Sequence, residues 1–385
     1  MDSPPPRRRP PIHSLNLRYL LIPPVLLAAA TFVLLFQHGE SINIPFLWSQ
    51  CHARSRLPWL SHIPLLGSPA CFLVSFFQEA VASSRGFAIM AACLSFIAGL
   101  LTVSTVESAR VCNGPAVLIA YPTGAWVVFN LLGGAVVWEL VILPAFFVRS
   151  RQIILARREG SGTGTQSPGG GGGGGMVDAS HPDFGEGMRH LSSAAEAVAI
   201  PVAVAVGCVV PSVLMLVLDS PVAVVVWIFF PLWVSLVRQG VRAGLVRWKR
   251  DRLGASLHLE RSRLWTGVTY GVPVLCSVLA HVWLLYSLLA RHDDRKEMTR
   301  ATTKFIEIDV GFIGLTVLYW LFVEAGWRVA AVMLAASVLL GPGAGVCLAW
   351  VYREGMVDPD RSVKVVAVGA RTPDAEPGEE TPLLR

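Results

Sequence analysis

Apolar residues along this chain gather into long runs rather than into the two-residue or 3.6-residue periods of half-buried strands and helices. Runs at about 18–36, 65–82, 86–106, 123–148, 192–218, 221–240, 264–290, 305–324 and 327–351 each approach the roughly 20 residues that a helix needs to cross a hydrocarbon layer about 30 Å thick. The run at 65–82 is the weakest, because it carries Gln78 and Glu79. The pattern predicts an all-α fold, a polytopic transmembrane helical bundle with eight or nine spans. A membrane β-barrel would alternate in shorter segments instead.

Polar stretches divide these runs. A Pro/Arg-rich head to residue 17, expected to be disordered, contains Pro4-Pro5-Pro6-Arg7-Arg8-Arg9 and precedes a first helical group over 18–148. The first apolar run follows positive charge but has no clean small-residue cleavage site, so it reads as a retained signal anchor. A basic, glycine-rich loop over 149–190 holds Arg149, Arg151, Arg157 and Arg158 and then Gly169 to Gly175. No Gly-Lys-Ser/Thr follows that glycine run, which makes it a flexible tether rather than a phosphate loop. A second helical group covers 191–351, and a tail expected to be disordered covers 352–385. Placing the head, the 149–190 loop and the basic 241–263 loop in the cytoplasm satisfies the positive-inside rule. The 291–304 loop then faces the lumen, and nine spans put the C-terminus there as well. Near the end, Glu379-Glu380-Thr381-Pro382-Leu383-Leu384, followed by Arg385, matches an acidic dileucine sorting signal.

Composition sharpens this picture. Of 385 residues, 53% are hydrophobic and 15% charged, whereas a soluble domain carries about 25% charge. A soluble enzyme is excluded. The net charge of +6 follows from the basic loops and does not indicate nucleic-acid binding. Seven cysteines lie mostly inside apolar runs without a CxxC pair, and read as packing residues. One disulfide involving Cys51 or Cys112, both near helix ends, stays open. His-Glu-x-x-His, Gly-x-Ser-x-Gly and a strand-linked Gly-x-Gly-x-x-Gly are all missing. Asp293-Asp294-Arg295-Lys296-Glu297 mimics an acidic metal motif, but two cations interrupt it and no second acidic cluster faces it. No metal site and no cofactor are therefore expected.

Ionisable groups inside or at the edge of apolar runs are costly, which makes them functional candidates. They are Glu79, Glu107, Arg110, Glu139, Glu196, Asp219, His281, Glu307, Asp309 and Glu324. Four predicted spans separate the end of the third, at Glu107, from the start of the eighth, at Glu307 and Asp309. An even number of crossings would open all three carboxyls on one face, where they could share a pocket. Glu107 and Arg110 are i,i+3 neighbours, close enough to pair. Glu307 and Asp309 point about 200° apart on a helix, so one should face the bundle interior and the other a neighbouring helix or the interface. A carboxylic acid kept neutral by apolar surroundings is a proton donor for general-acid catalysis. Trp126, Asn130, Gly133, Gly134 and Val137 share one helical face, on which Asn130 either stitches close helix packing or contacts a substrate. Glu139 and His281 read as hydrogen-bonding groups within the bundle. Mid-span aromatics, including Trp126, Tyr319 and Trp320, are either packing residues or electron-rich walls for a cation.

Several stretches together resemble fungal membrane-bound terpene cyclases of the type acting in ascofuranone, ascochlorin and macrophorin biosynthesis. They are Cys71-Phe72-Leu73-Val74-Ser75-Phe76-Phe77-Gln78, Glu107-Ser108-Ala109-Arg110, Gly133-Gly134-Ala135-Val136-Val137-Trp138, and Phe305-Ile306-Glu307-Ile308-Asp309 with Tyr319-Trp320. The resemblance covers about 63–351. It implies proton-initiated, metal-independent cyclisation of a lipophilic, prenylated small-molecule precursor, a farnesylated aromatic that enters from membrane lipid. It also implies that an intramembrane Glu and Asp matter, and Glu107 and Asp309 match that pair by position. The expected catalytic residues are then Asp309, Glu107 and Glu307, with Arg110, Asn130, Trp126, Tyr319 and Trp320 around the substrate. The expected location is the endoplasmic reticulum or another endomembrane. The rival class is a small-molecule or proton-coupled transporter or sensor using the same buried carboxyls as a relay, and a structural vacuolar or endosomal protein addressed by the dileucine tail is a third.

Overall fold

The computed structural model describes residues 10–53, 67–162, 189–218, 220–249, 253–259 and 262–355. The first half of the predicted head, nearly all of the predicted tail, the glycine run, the dileucine motif and Asp219 lie outside them. Residues 10–17, expected to be disordered, instead form a helical turn at Pro11–His13 with Ile12 buried and lead into the first long helix. Among the described residues the chain is helical with no strand; only isolated bridges join Arg110 to Leu191 and Leu191 to Leu257. Five helices are long and apolar enough to cross a membrane, α1 (Leu17–Gly39), α4 (Ser84–Ala109), α8 (Glu196–Val217), α11 (Arg263–Ala290) and α12 (Glu297–Ala325). A sixth crossing forms if α9 (Pro221–Ile228) and α10 (Phe230–Trp248), bent by 62° at Phe229, count as one. This is fewer than the eight or nine expected. The three remaining apolar runs fold differently.

Contacts between elements set the order along the bundle. At one end, Asp294 accepts the backbone N–H groups of Ser84 (2.7 Å) and Arg85 (3.1 Å), and Thr299 donates to Glu79 at 3.1 Å. At the other, Arg353 bridges Glu107 and Glu324 at 3.1 Å each. Thus α4 and α12 run parallel from an Asp294 end to a Glu107 end. Helix α1 is antiparallel to α12, since Tyr319 donates to the Leu20 carbonyl while His38 Nε2 lies 3.0 Å from the Ala301 carbonyl. Helix α1 ends and α4 begins at the Asp294 end, with α2 (Ile44–Ala53) following α1 in the chain. The apolar helix α3 (Gly67–Ala80) is too short for a crossing and packs Phe76 against Phe305, so the predicted 65–82 span is not one.

The run at 123–148 is a helical hairpin rather than a span. Its first arm, α5 (Thr123–Leu132), starts near the Glu107 end, where Trp126 donates to Ser104 at 3.2 Å. The arm stops at Gly133, whose φ of 114° favours a residue without a Cβ. The return arm comprises α6 (Gly134–Val137), a wide π-type turn at Trp138–Ile142 and α7 (Leu143–Gly162). It climbs beside α12, from Ala135 on Asp309 (3.0 Å) to Ser150 on Glu324 (2.5 Å). Helix α7 continues through the first part of the predicted 149–190 loop. The break at Gly133 also dissolves the single face expected for Trp126 through Val137.

The run at 327–351 repeats the device. Helix α13 (Trp327–Leu340) descends from the Glu107 end, turns at Gly341 (φ 95°) and returns as α14 (Pro342–Gly355). The tip packs backbone to backbone on α4, where a Cβ on Gly99 would sit 2.8 Å from the Gly343 carbonyl oxygen. The arms close on each other equally tightly, since a Cβ on Gly345 would meet Met333 O at 2.8 Å. Gly355 therefore lies at the same end as Ile12, which accepts from Arg151 at 2.6 Å, and not opposite the head as nine spans would require. The segments at 189–195 and 253–257 are joined by backbone bonds at this end, where Arg110, Arg238, Arg242 and Arg353 also lie, consistent with the positive-inside rule. The 291–296 loop sits at the opposite end, as expected.

Cysteine usage is mixed. Cys112 is a free, buried thiol, and so are Cys208 and Cys347, while Cys71 is disulfide-bonded.

Candidate functional site

Glu107 and Asp309 do not share a pocket. Glu107 sits level with Glu324, and at ~1.5 Å per residue positions 309 and 324 are about 22 Å apart along the helix axis. The predicted convergence fails because it counted 123–148 as a crossing.

Glu107 ends α4 inside a dense ionic network. Its carboxylate accepts from Arg110 Nε (3.1 Å), Arg353 Nη1 (3.1 Å), Trp350 Nε1 (3.0 Å) and Asn113 Nδ2 (3.2 Å). The i,i+3 pairing with Arg110 is present although Arg110 has left the helix with extended backbone. Arg110 also binds Glu354 (2.5 Å) and the Arg189 carbonyl (2.5 Å). Every charge here is answered by another, as a buried ion cluster requires. Such an arrangement fixes helix ends; it has no free proton to give. Arg353 and Glu354, which complete it, lie just past the last predicted span.

Asp309 instead faces the tip of the first hairpin. Its Oδ1 accepts the Ala135 N–H, and Gly134 packs so tightly that an added Cβ would lie 2.8 Å from Oδ2 and 2.7 Å from Phe129 Cζ. A carboxylate at the first turn of a helix answers backbone donors that have no partner within it. Nearby, Glu139 is fully buried, accepts from Thr31 at 3.3 Å and has a second oxygen with no partner among the described residues.

The other expected substrate contacts are engaged in packing. Asn130 donates to the Ile228 carbonyl at 2.8 Å, bracing the bend between α9 and α10. Tyr319 is tied to α1, and Trp320 is buried between Trp138, Phe146 and Trp350, with ring centroids 4.4–6.0 Å away. His281 reaches the Val338 carbonyl at 3.1 Å, as a bundle hydrogen bond.

Glu307 has the opposite aspect from Asp309, as their spacing predicts. It lines an open cleft of about 500 Å³ between α4, α11, α12 and α13, whose walls include Ile89, Cys93, Phe96, Leu284, Leu288, Val310, Leu315 and Met333. The volume lies in the range of small-molecule sites, and the lining has their typical character of apolar walls with few polar groups. Glu307 is its one carboxyl, with Arg295 and Ser337 the other polar side chains of note. Lys304 Nζ lies 3.5 Å from Glu307 Oε2 and is itself exposed. Arg295 is bound by a bidentate bond to Asp293 (3.0 and 3.1 Å). This hydrogen bonding, with Arg85 close by, keeps the Asp293 carboxyl well below the usual range. For Asp294, burial opposes ionisation, but the backbone donors of Arg85 and Ser84 outweigh it and lower its pKa.

Among the described residues no three His, Cys, Asp or Glu side chains converge as metal ligands do. Sequence reasoning missed this cavity, although the small residues Gly311 and Gly314 one and two turns after Glu307 mark the face that leaves room for it. The chain matches no protein-family model, no curated protein and no solved structure.

Proposed function

We propose that this protein is an intramembrane cyclase that starts ring closure of a prenylated, lipophilic precursor by proton transfer. The observation that carries this reading is the apolar cavity with Glu307 as its single carboxyl. In the reaction, a proton passes from the Glu307 carboxyl to an epoxide oxygen or terminal alkene carbon. Electrons of a neighbouring double bond close the ring, and loss of a proton from the last cation leaves a product of unchanged mass. Dry walls protect the cation from water. Exposed Lys304, beside Glu307, lies on the route by which the acid is recharged. Asp309, two residues on, acts as a positioning residue: tying α12 to the hairpin tip fixes the rotation that aims Glu307 into the cavity. The setting is an endomembrane with the basic end facing the cytoplasm.

Microsomes supplied with a linear farnesylated phenol or its epoxide test this. Glu307→Gln should abolish the isomeric product while leaving protein abundance unchanged, and full turnover by that variant removes Glu307 from the mechanism. A second reading, proton-coupled transport, has its own support. Twice along the chain two antiparallel long helices, α1 with α4 and α11 with α12, are followed by a hairpin broken at a positive-φ glycine, Gly133 and Gly341. Repeated, interrupted helices are a feature of transporters. Flux into proteoliposomes without chemical change favours transport; altered retention at constant mass favours cyclisation.

A further inference from the structure

A second cavity, at the Glu107 end, has a different chemistry from the Glu307 cavity. Its volume is about 490 Å³, and it lies between the end of α4, the start of the first hairpin and α10. Arg238 and Arg242 stand one turn apart on its α10 wall. Arg238 Nε binds Glu196 at 2.8 Å and its Nη1 binds Ser108 at 2.8 Å, while Arg242 Nη1 binds Glu196 at 3.2 Å. Glu196 is fully buried, and among the described residues it is the only carboxylate paired with either arginine. Three bonds leave most of the donors of two guanidiniums open, and among the described residues the two arginines carry one more positive charge than Glu196 answers. The floor is apolar. Leu101 lies roughly 12 Å below Ala109 along α4, beside Val234 and Trp126, whose indole N–H is already given to Ser104.

We propose that this cavity binds an anionic amphiphile, with a phosphate or carboxylate head on Arg238 and Arg242 and a hydrocarbon chain on Leu101, Trp126 and Val234. Guanidinium forks suit oxyanions with two or more acceptor oxygens, and the floor suits an alkyl chain. The site stands independently of the cyclase reading, because it needs no turnover and uses none of the Glu307 cavity. The head group can come from an anionic lipid of the surrounding membrane or from a free alkyl phosphate.

The test is thermal unfolding of the full chain, purified in a neutral maltoside detergent, with dodecyl phosphate, phosphatidic acid, inorganic phosphate or dodecanol added. Dodecyl phosphate should stabilise the protein saturably, while dodecanol should not, and inorganic phosphate should need at least about a hundredfold higher concentration for want of a chain. Arg242→Gln leaves Arg238 on Glu196 and should fold normally, checked by its melting without ligand. It should weaken dodecyl phosphate roughly tenfold or more, as loss of a charged hydrogen bond does. If Arg242→Gln perturbs folding, the head-and-chain series on the unmodified protein decides alone. Stabilisation by phosphatidic acid as well as dodecyl phosphate assigns the site to membrane lipid and soluble amphiphile alike; dodecyl phosphate alone assigns it to the soluble class. Equal stabilisation by dodecanol, or undiminished affinity in a well-folded Arg242→Gln, overturns the proposal.

Discussion

Replacing Glu107 by Gln separates a structural carboxylate from a chemical one. Four donors converge on it, from Arg110, Arg353, Trp350 and Asn113, and the residue is 5% exposed. Removing one partner of a buried ion pair costs about 3–5 kcal/mol. Here Arg110 retains Glu354 and Arg353 retains Glu324, and the Gln carbonyl still accepts, so a smaller cost of about 2–3 kcal/mol is expected. For a helical domain this corresponds to a fall in Tm on the order of 5–10 °C. Thermal unfolding in detergent measures it. A double-mutant cycle with Arg353→Met should return a coupling of about 1 kcal/mol or more, since the two side chains share one network. Residual turnover per folded molecule should stay near that of the unmodified protein. An unchanged Tm combined with abolished turnover would overturn this assignment, because it would make Glu107 a reacting group rather than a clamp.

Two other predictions follow from the same geometry. Gly343→Ala places a methyl group against the Ser95 backbone, which cannot move aside, and should cost about 3 kcal/mol or more by overpacking; Gly244→Ala, with open space around it, should be neutral or slightly stabilising, and both are read by thermal unfolding. Asp293 and Asp294 have lowered pKa values in the folded protein. Their contribution is therefore fully present above the ordinary Asp pKa of ~3.9 and is lost as pH falls below it toward the folded values. Hydrogen exchange at the Ser84 and Arg85 amides, corrected for intrinsic rate, should stay slow at about pH 5 and accelerate only below about pH 4; acceleration between about pH 7 and pH 5 would contradict the assignment.

Hydropathy made the helical, membrane-type fold legible but not the crossing count. A run of two dozen apolar residues looks the same whether it crosses once or turns back halfway. The difference lies in local turn chemistry, in Gly133-Gly134 and in Gly341-Pro342-Gly343, which punctuate their runs near the middle. Two false crossings, 65–82 and 123–148, flank α4. Their errors cancel for every loop outside them, which is why the sides of the 149–190 and 291–304 loops came out consistently. For Glu107, which lies between them, nothing cancels, and the carboxyl falls at the wrong end. Local readings fared better, because the Glu107–Arg110 pair and the opposed aspects of Glu307 and Asp309 depend only on spacing. The partners of the Glu107 network were hidden for another reason: Arg353 and Glu354 follow the last apolar run, and only the second hairpin brings them back beside α4.

Both cavities and the Glu107 network owe their positions to the two hairpins, and sidedness measures these directly. Single cysteines at Gly114, Leu155, Arg328 and Gly355, introduced one at a time into a version lacking other reactive thiols, should all be modified by a membrane-impermeant maleimide from one side. A cysteine at Arg291 should react only from the other side. Labelling of Gly114 and Leu155, or of Arg328 and Gly355, from opposite sides would mean that the intervening run crosses the membrane, and would contradict the two-hairpin topology.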